Sequence, residues 1–212
     1  MKTAILFDLD GTLLDTLEDL KNAVNFTLRT KGYPERTLEE VRCFVGNGAR
    51  KLMELAVPTG ADVEEALGAF RTYYNAHCQV KTRPYAGIEA VLEVLKSKYP
   101  VAIVSNKPDS AVKTLCADYF PGIYALGEAA DCPRKPAPNM VYKAMEVLGV
   151  QKCIYVGDSE VDVLTAKNAG VSCISVLWGF RNREELVQAG ADCFCEKTED
   201  ILAKIEELIH GQ

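Results

Sequence analysis

The chain has 212 residues, 48% of them hydrophobic and 25% charged, with a formal net charge of −6. That balance excludes a disordered chain, and the length suffices to bury a core without metal or disulfide staples. The acidic excess argues against nucleic acid and acidic membranes as partners, because nothing here neutralises a run of phosphates, and no apolar run approaches the roughly 18 residues of a membrane span.

The opening residues begin like a signal peptide but meet Asp8 after a short, moderately apolar run. No secretory core fits there, so a cytoplasmic protein is expected. Residues 4–7 read as a first strand, and no confident strand follows before residue 101. Thr16-Leu17-Glu18-Asp19 resembles a capping box and opens a helical stripe at Leu20, Val24 and Leu28, ended by Gly32. Short helices are predicted after Thr37 and after Gly48. A long one covers 62–78, with a stripe of Val63, Ala66, Leu67, Phe70, Tyr74 and His77, which assigns His77 to the core. Beyond it, strands at 101–105, 153–156, 173–177 and 191–194 alternate with helical patterns. The stripes of those helices are Ile88, Val91, Leu92 and Leu95; Ala111, Val112, Leu115 and Tyr119; and Ile201, Leu202, Ile205, Leu208 and Ile209.

The strands are nearly continuous in apolar residues, as suits parallel strands covered on both faces. Strand–helix alternation predicts an open α/β sheet with helices on both sides. The helical stretch between the first two strands predicts an inserted all-α module hinged at 14–17 and 80–84. The expected division is a core of 1–14 and 82–212 and a cap of 15–81. The chain has eight cysteines. They form no CxxC pair, and Cys193-Phe194-Cys195 is one residue too tight for a zinc knuckle. They read as reduced, structural side chains.

Ligands of open α/β sheets collect at the carboxyl ends of the strands. After the first strand come Asp8-Leu9-Asp10-Gly11-Thr12, and after the second Ser105-Asn106-Lys107. Arg134-Lys135-Pro136-Ala137-Pro138 precedes a helix, and Gly157-Asp158-Ser159-Glu160-Val161-Asp162 follows a later strand. Acids crowded at two strand ends repel one another unless a cation sits among them, and an oxygen-only ligand set suits Mg²⁺. Lys135 and Ser105 could then hold phosphate oxygens, one Asp could attack phosphorus, and a second Asp two residues on could move protons. Each motif also has a plain structural use: Asp-Gly as a turn, Asp158 and Ser159 as helix caps, Pro138 as a first-turn proline. All four, each behind its own strand, make coincidence a poor account.

Together these motifs resemble the haloacid dehalogenase superfamily of phosphohydrolases. The resemblance implies an α/β fold with a Rossmann-like parallel-sheet core and an inserted all-helical cap. It implies Asp8 as nucleophile and Asp10 as general acid and base. It implies Mg²⁺ held by an Asp8 oxygen, the Asp10 carbonyl and Asp158, with Asp162 supporting that shell or orienting Lys135. Ser105 and the Asn106 amide would bind the phosphoryl group, Thr12 would lie at the substrate, and Lys135 would neutralise developing charge. Asp15-Thr16, Val45-Gly46-Asn47-Gly48-Ala49-Arg50 and Trp178-Gly179-Phe180-Arg181 point to phosphoglycolate phosphatases and their relatives within it. A small-molecule phosphate ester is the expected partner, for a monomer or homodimer. Arg50, opening a helix after Gly46-Asn47-Gly48, is the cap candidate for a substrate carboxylate. Trp178 and Phe180 read as loop packing. The rivals are a sugar-phosphate mutase on the same scaffold and a phosphometabolite sensor, although a sensor would be expected to lose one of the Asp residues.

Overall fold

The computed structural model describes residues 2–211. The chain enters through β1 (Thr3–Phe7), turns, and forms the two-residue β2 (Leu14–Asp15). Four helices follow, α1 (Leu17–Thr30), α2 (Leu38–Phe44), α3 (Gly48–Ala56) and α4 (Val63–His77), before β3 (Arg83–Pro84) pairs antiparallel with β2. Thereafter strands and helices alternate: α5 (Ile88–Lys98), β4 (Val101–Pro108), α6 (Asp109–Tyr119), β5 (Tyr124–Glu128), α7 (Asn139–Leu148), β6 (Lys152–Gly157), α8 (Glu160–Ala169), β7 (Ser172–Val176), α9 (Arg183–Ala189), β8 (Phe194–Cys195) and α10 (Asp200–His210).

Six strands form one parallel sheet in the order β5-β4-β1-β6-β7-β8. From β1 the chain winds outward through β4 and β5, then returns to β6 on the other side and winds outward again. That reversal places the switch point, and so the ligand crevice, at the carboxyl end of β1. Ala4, Ile5, Leu6 and Phe7 have no exposed surface at all. Ile5 and Phe7 pack into one apolar cluster with Ile103 and Ile174, and Ala4 and Leu6 into the other with Val104 and Tyr155. This is why the strand reads as an unbroken apolar run instead of an alternating one. The fold is therefore an α/β Rossmann-like core carrying an inserted helical cap. No described helix is long and apolar enough to cross a membrane.

Several expectations differ in detail. Between β1 and β4 the two hinge segments pair as β2 and β3. Strand β5 carried no sequence signal, and the expected strand at 191–194 is reduced to Phe194–Cys195. Thr16 makes no side-chain cap on α1. Its hydroxyl donates instead to Asp10 Oδ1 at 2.6 Å. The Asp19 carboxylate accepts from the Lys81 and Thr82 amides at 2.8–3.0 Å, tying the second hinge to the start of the cap. His77 is exposed, not in the core, and stacks on Tyr73 with ring centroids 4.0 Å apart. The inward position one turn after Tyr74 belongs to Cys78, which is buried. All eight cysteines are free thiols.

Candidate active site

Asp8 follows directly on β1, anchored by its amide hydrogen bond to the Val156 carbonyl at 2.9 Å. The chain then turns sharply, with Leu13 and Leu14 amides both donating to the Leu9 carbonyl at 3.0 Å. Gly11 makes this turn with φ +82°, and a Cβ there would overlap the Asp158 carboxylate. Only glycine meets both demands. The turn returns Asp10 and Thr12 to the crevice. Thr12 donates to Asp158 Oδ1 at 3.1 Å, and the Phe180 amide donates to Asp158 Oδ2 at 2.7 Å. Asp158 is thus held by both sides of the crevice.

Lys135, 2% exposed, lies 2.8 Å from Asp8 Oδ1 and 2.7 Å from Asp162 Oδ1. It also donates to the Tyr155 hydroxyl at 3.0 Å. Asp162 serves two masters with its two oxygens. Oδ2 accepts from the Ser159 amide and hydroxyl at 3.1 and 2.6 Å, at the start of α8, while Oδ1 orients the lysine. One oxygen thus caps α8 and the other faces the lysine. Asn106 clasps the loop that carries the lysine. Its Oδ1 accepts from the Lys135 amide at 2.8 Å, and its Nδ2 donates to the Lys135 carbonyl at 2.9 Å and to Gly46 of the cap at 3.1 Å.

Burial pushes the Asp8 carboxyl up to about 7, Lys135 opposing it and Asp162 and Asp10 adding to it. Burial likewise drives the Asp158 carboxyl well above the ordinary carboxylate range, helped by Asp162 and Asp8. One carboxylate oxygen from each of Asp8, Asp158 and Asp162 lies within 4.8 Å of the others. Three buried carboxylates face one ammonium, Lys135, so ionising all three leaves two formal negative charges uncompensated, and burial together with that repulsion is what raises Asp8 and Asp158. Asp8 Oδ1 also has no well-aligned hydrogen bond despite its contact with Lys135. A small divalent cation with oxygen preference matches that charge and that donor set. Asp8 and Asp158 are the fitting ligands: Asp8 Oδ1 lacks an aligned donor and Asp158 accepts one donor on each oxygen, whereas Asp162 is engaged by the Lys135 ammonium and by two Ser159 donors.

The residues Asp8, Asp10, Ser105, Asn106, Lys135 and Asp158 line one cavity of about 50 Å³ between core and cap. Thr12 supports it from behind through Asp158. Arg50 does not reach it. The first turn of α3 faces the cavity with Gly48 and Ala49, and the next position is rotated by about 100°. Arg50 therefore points outward and pairs with Glu64 at 2.7 Å. Phe180 is buried at the cavity wall, and Trp178 packs beside it, donating to the Thr12 carbonyl at 3.1 Å. Sequence reasoning missed Lys107, Tyr74 and Arg181. Lys107 Nζ lies 2.8 Å from Asp10 Oδ1 and sits over the Tyr74 ring, 4.6 Å from its centroid. Its only sequence signal was its place directly behind Ser105-Asn106.

This crevice, with its paired aspartates, strand-end serine and loop lysine under a helical lid, defines a hydrolase class. A model of the haloacid dehalogenase-like hydrolases matches residues 5–176, and the chain belongs to that family. Within it the chain is a phosphoric monoester hydrolase. It is 36% identical over 184 residues to a phosphoglycolate phosphatase of Aquifex aeolicus, covering 83% of this chain and 85% of that one. A phosphoglycolate phosphatase of Photorhabdus laumondii is 30% identical, over 95% of this chain and 92% of its own. A crystal structure from Lactobacillus delbrueckii subsp. bulgaricus, provisionally described as a phosphoglycolate phosphatase, superposes with a TM-score of 0.89 at 37% identity over the whole of both chains.

Proposed function

We propose that the protein hydrolyses phosphoglycolate, a small phosphate monoester bearing a carboxylate, through an aspartyl-phosphate on Asp8. The observation that carries this reading is the convergence of Asp8, Asp10, Ser105 and Lys135 on one small cavity closed by the cap. The substrate follows from the relatives' names, and the cavity's size favours an ester of few atoms.

An Asp8 oxygen attacks phosphorus, and the ester oxygen leaves with a proton from Asp10. Ser105, the Asn106 amide and Lys135 hold the phosphoryl oxygens and balance their charge. Thr16 and Lys107 both hold Asp10 Oδ1, at 2.6 and 2.8 Å, which fixes the proton-bearing carboxyl in the crevice. Once the alcohol has left, Asp10 takes a proton from water. The water's oxygen attacks phosphorus, releasing phosphate and restoring the Asp8 carboxylate. Mg²⁺ would be held by Asp8, Asp158 and the Asp10 carbonyl, with Asp162 behind. When bound it supplies charge shielding between the Asp8 carboxylate and the anionic phosphoryl oxygens.

The test is phosphate release from phosphoglycolate in the presence of Mg²⁺. The wild type should turn over many times, and Asp8→Asn should fall by at least about a thousandfold with an unchanged melting curve. One equivalent of glycolate released with the phosphate retained on the enzyme, or an isomerised product from a sugar phosphate, overturns hydrolysis in favour of a phosphoryl transfer between positions of a sugar.

A further inference from the structure

The cap brings almost no polar chemistry to the cavity. Leu20, Leu52 and Phe70 are apolar, and among the described residues the only polar cap side chain on the wall is Tyr74. Its hydroxyl is buried and its O–H has no acceptor, the Lys107 ammonium being its polar neighbour. A buried hydroxyl without an acceptor is costly, so it is a group that a ligand oxygen would satisfy.

Three cations reach the cavity wall from the core, and their donors are differently committed. Lys135 is held by Asp8, Asp162 and Tyr155. Arg181 is held by Glu160 at 2.7 Å and by the Val45 and Arg42 carbonyls at 2.7 and 3.1 Å. Lys107 has one well-aligned hydrogen bond, to Asp10 Oδ1, and otherwise meets only Tyr74, its ring and its hydroxyl. An ammonium carries three donors. Lys107 is therefore the buried cation with capacity to spare, and the Tyr74 hydroxyl that lacks an acceptor belongs to the ring it sits on.

We infer that Lys107 and the Tyr74 hydroxyl form the subsite that receives the substrate's carboxylate. The inference rests on the reading of phosphoglycolate as substrate. The distances suit it. Asp10 must approach the ester oxygen to about 3 Å to protonate it, and Lys107 Nζ is 2.8 Å beyond Asp10 Oδ1. Because Oδ1 already accepts from Thr16 and Lys107, the proton passes from Asp10 Oδ2, and the ammonium lies within about 8 Å of the ester oxygen. In phosphoglycolate the carboxylate is one methylene from that oxygen, so one end of the molecule at the phosphoryl site puts the other at Lys107. One carboxylate oxygen takes an N–H from Lys107 and the other the O–H of Tyr74. The recognition that Arg50 was expected to supply from the cap surface comes instead from the strand end next to the acid.

The experiment compares phosphoglycolate with 2-hydroxyethyl phosphate, which has the same length and a neutral hydroxyl in place of the carboxylate. The readout is the ratio of the two kcat/KM values. Wild type should prefer phosphoglycolate at least tenfold. Lys107→Met should slow both esters through the loosened Asp10 and, beyond that common loss, bring the ratio near one by weakening phosphoglycolate further. Tyr74→Phe, which keeps the ring over the lysine, should lower the ratio about three- to tenfold. A wild type without the preference overturns the substrate reading and the subsite with it. A wild type that shows it, with variants that keep it, overturns the subsite alone. Equal losses on both esters in Lys107→Met, with the ratio intact in Tyr74→Phe, reassign the lysine to Asp10. Should Lys107→Met fail to fold, Tyr74→Phe decides, since an unchanged ratio there excludes the subsite.

Discussion

Asp10 is gripped on one oxygen by Thr16 and Lys107, which fixes its carboxyl in the crevice. Asp10→Asn keeps the size of the group and removes the proton. It should slow esters with poor leaving groups by at least about a hundredfold, while formation of the phosphoenzyme from a nitrophenyl phosphate suffers far less. Because the second step still needs a base, phosphoenzyme should accumulate, and rapid quench with mass spectrometry would detect it. Equal slowing for all leaving groups without accumulation contradicts the assignment. Asp158 makes a different prediction. Its carboxylate is held by Thr12 and the Phe180 amide beside two further acids. Mg²⁺ at about a hundred times its dissociation constant should stabilise the fold by roughly 2.7 kcal/mol, read as a rise in melting temperature. Asp158→Asn should abolish that rise. A full rise in the variant removes Asp158 from the ligand set.

At the scale of elements, the hinge is more built than two flexible linkers. Asp19, on the first turn of α1, accepts three contacts from the Lys81 and Thr82 amides and is 3% exposed. Asp19→Ala strands buried donors and should cost roughly 2–3 kcal/mol in chemical denaturation, with the slope of the transition unchanged. A loss below about 0.5 kcal/mol contradicts that role. Asp19 also shows where legibility in the sequence ended. Strands β1, β4, β6 and β7 were visible because both their faces are buried, and the cap helices because each has one apolar stripe. β5 was not, since Tyr124-Ala125-Leu126-Gly127-Glu128 is a short edge strand with a glycine and a charge. Its Gly127 is required because a Cβ would overlap the Asp109 backbone. Thr16 and Asp19 have capping-box spacing, but the nearby Asp10 took the threonine and the distant Lys81 and Thr82 amides took the aspartate. Asp8, Asp10, Ser105, Lys135 and Asp158 could be placed at one crevice because each stands directly behind a strand or in a loop beside one. Lys107 shared that position, yet a lysine at a strand end reads as solvated unless its burial is known. Arg50 failed for the opposite reason: its sequence neighbours face the cavity, and the helical rotation that turns it away shows only in three dimensions.

The whole molecule poses a problem of access, because the cavity of about 50 Å³ lies under the cap and a lifted cap would widen its entry. The contacts that must break on that side are few. Arg181, 7% exposed, donates to the Arg42 and Val45 carbonyls at the end of α2, and Asn106 donates to Gly46 next to them. A cation at a helix C-terminus satisfies carbonyls that the helix leaves free and meets its negative pole. Arg181 is aimed there by Glu160, which lies two residues after Asp158 and one after Ser159. The segment that holds the acidic cluster therefore also positions the arginine that fastens the lid. Arg181→Met keeps much of the apolar stem and removes the closing hydrogen bonds. The closed state should lose about 1.5 kcal/mol or more, lowering kcat/KM by at least about tenfold. The loss should be equal for phosphoglycolate and 2-hydroxyethyl phosphate, because closure is common to both while the carboxylate is held elsewhere. Small-angle scattering of the free variant should show a larger radius of gyration than the wild type. Glu160→Gln should shift both measurements in the same direction by a smaller amount, since the arginine then keeps its carbonyl partners and loses only its charged anchor. A loss confined to phosphoglycolate would make Arg181 a substrate contact instead, and an unchanged kcat/KM would mean that the Asn106–Gly46 bond and apolar packing close the lid without it.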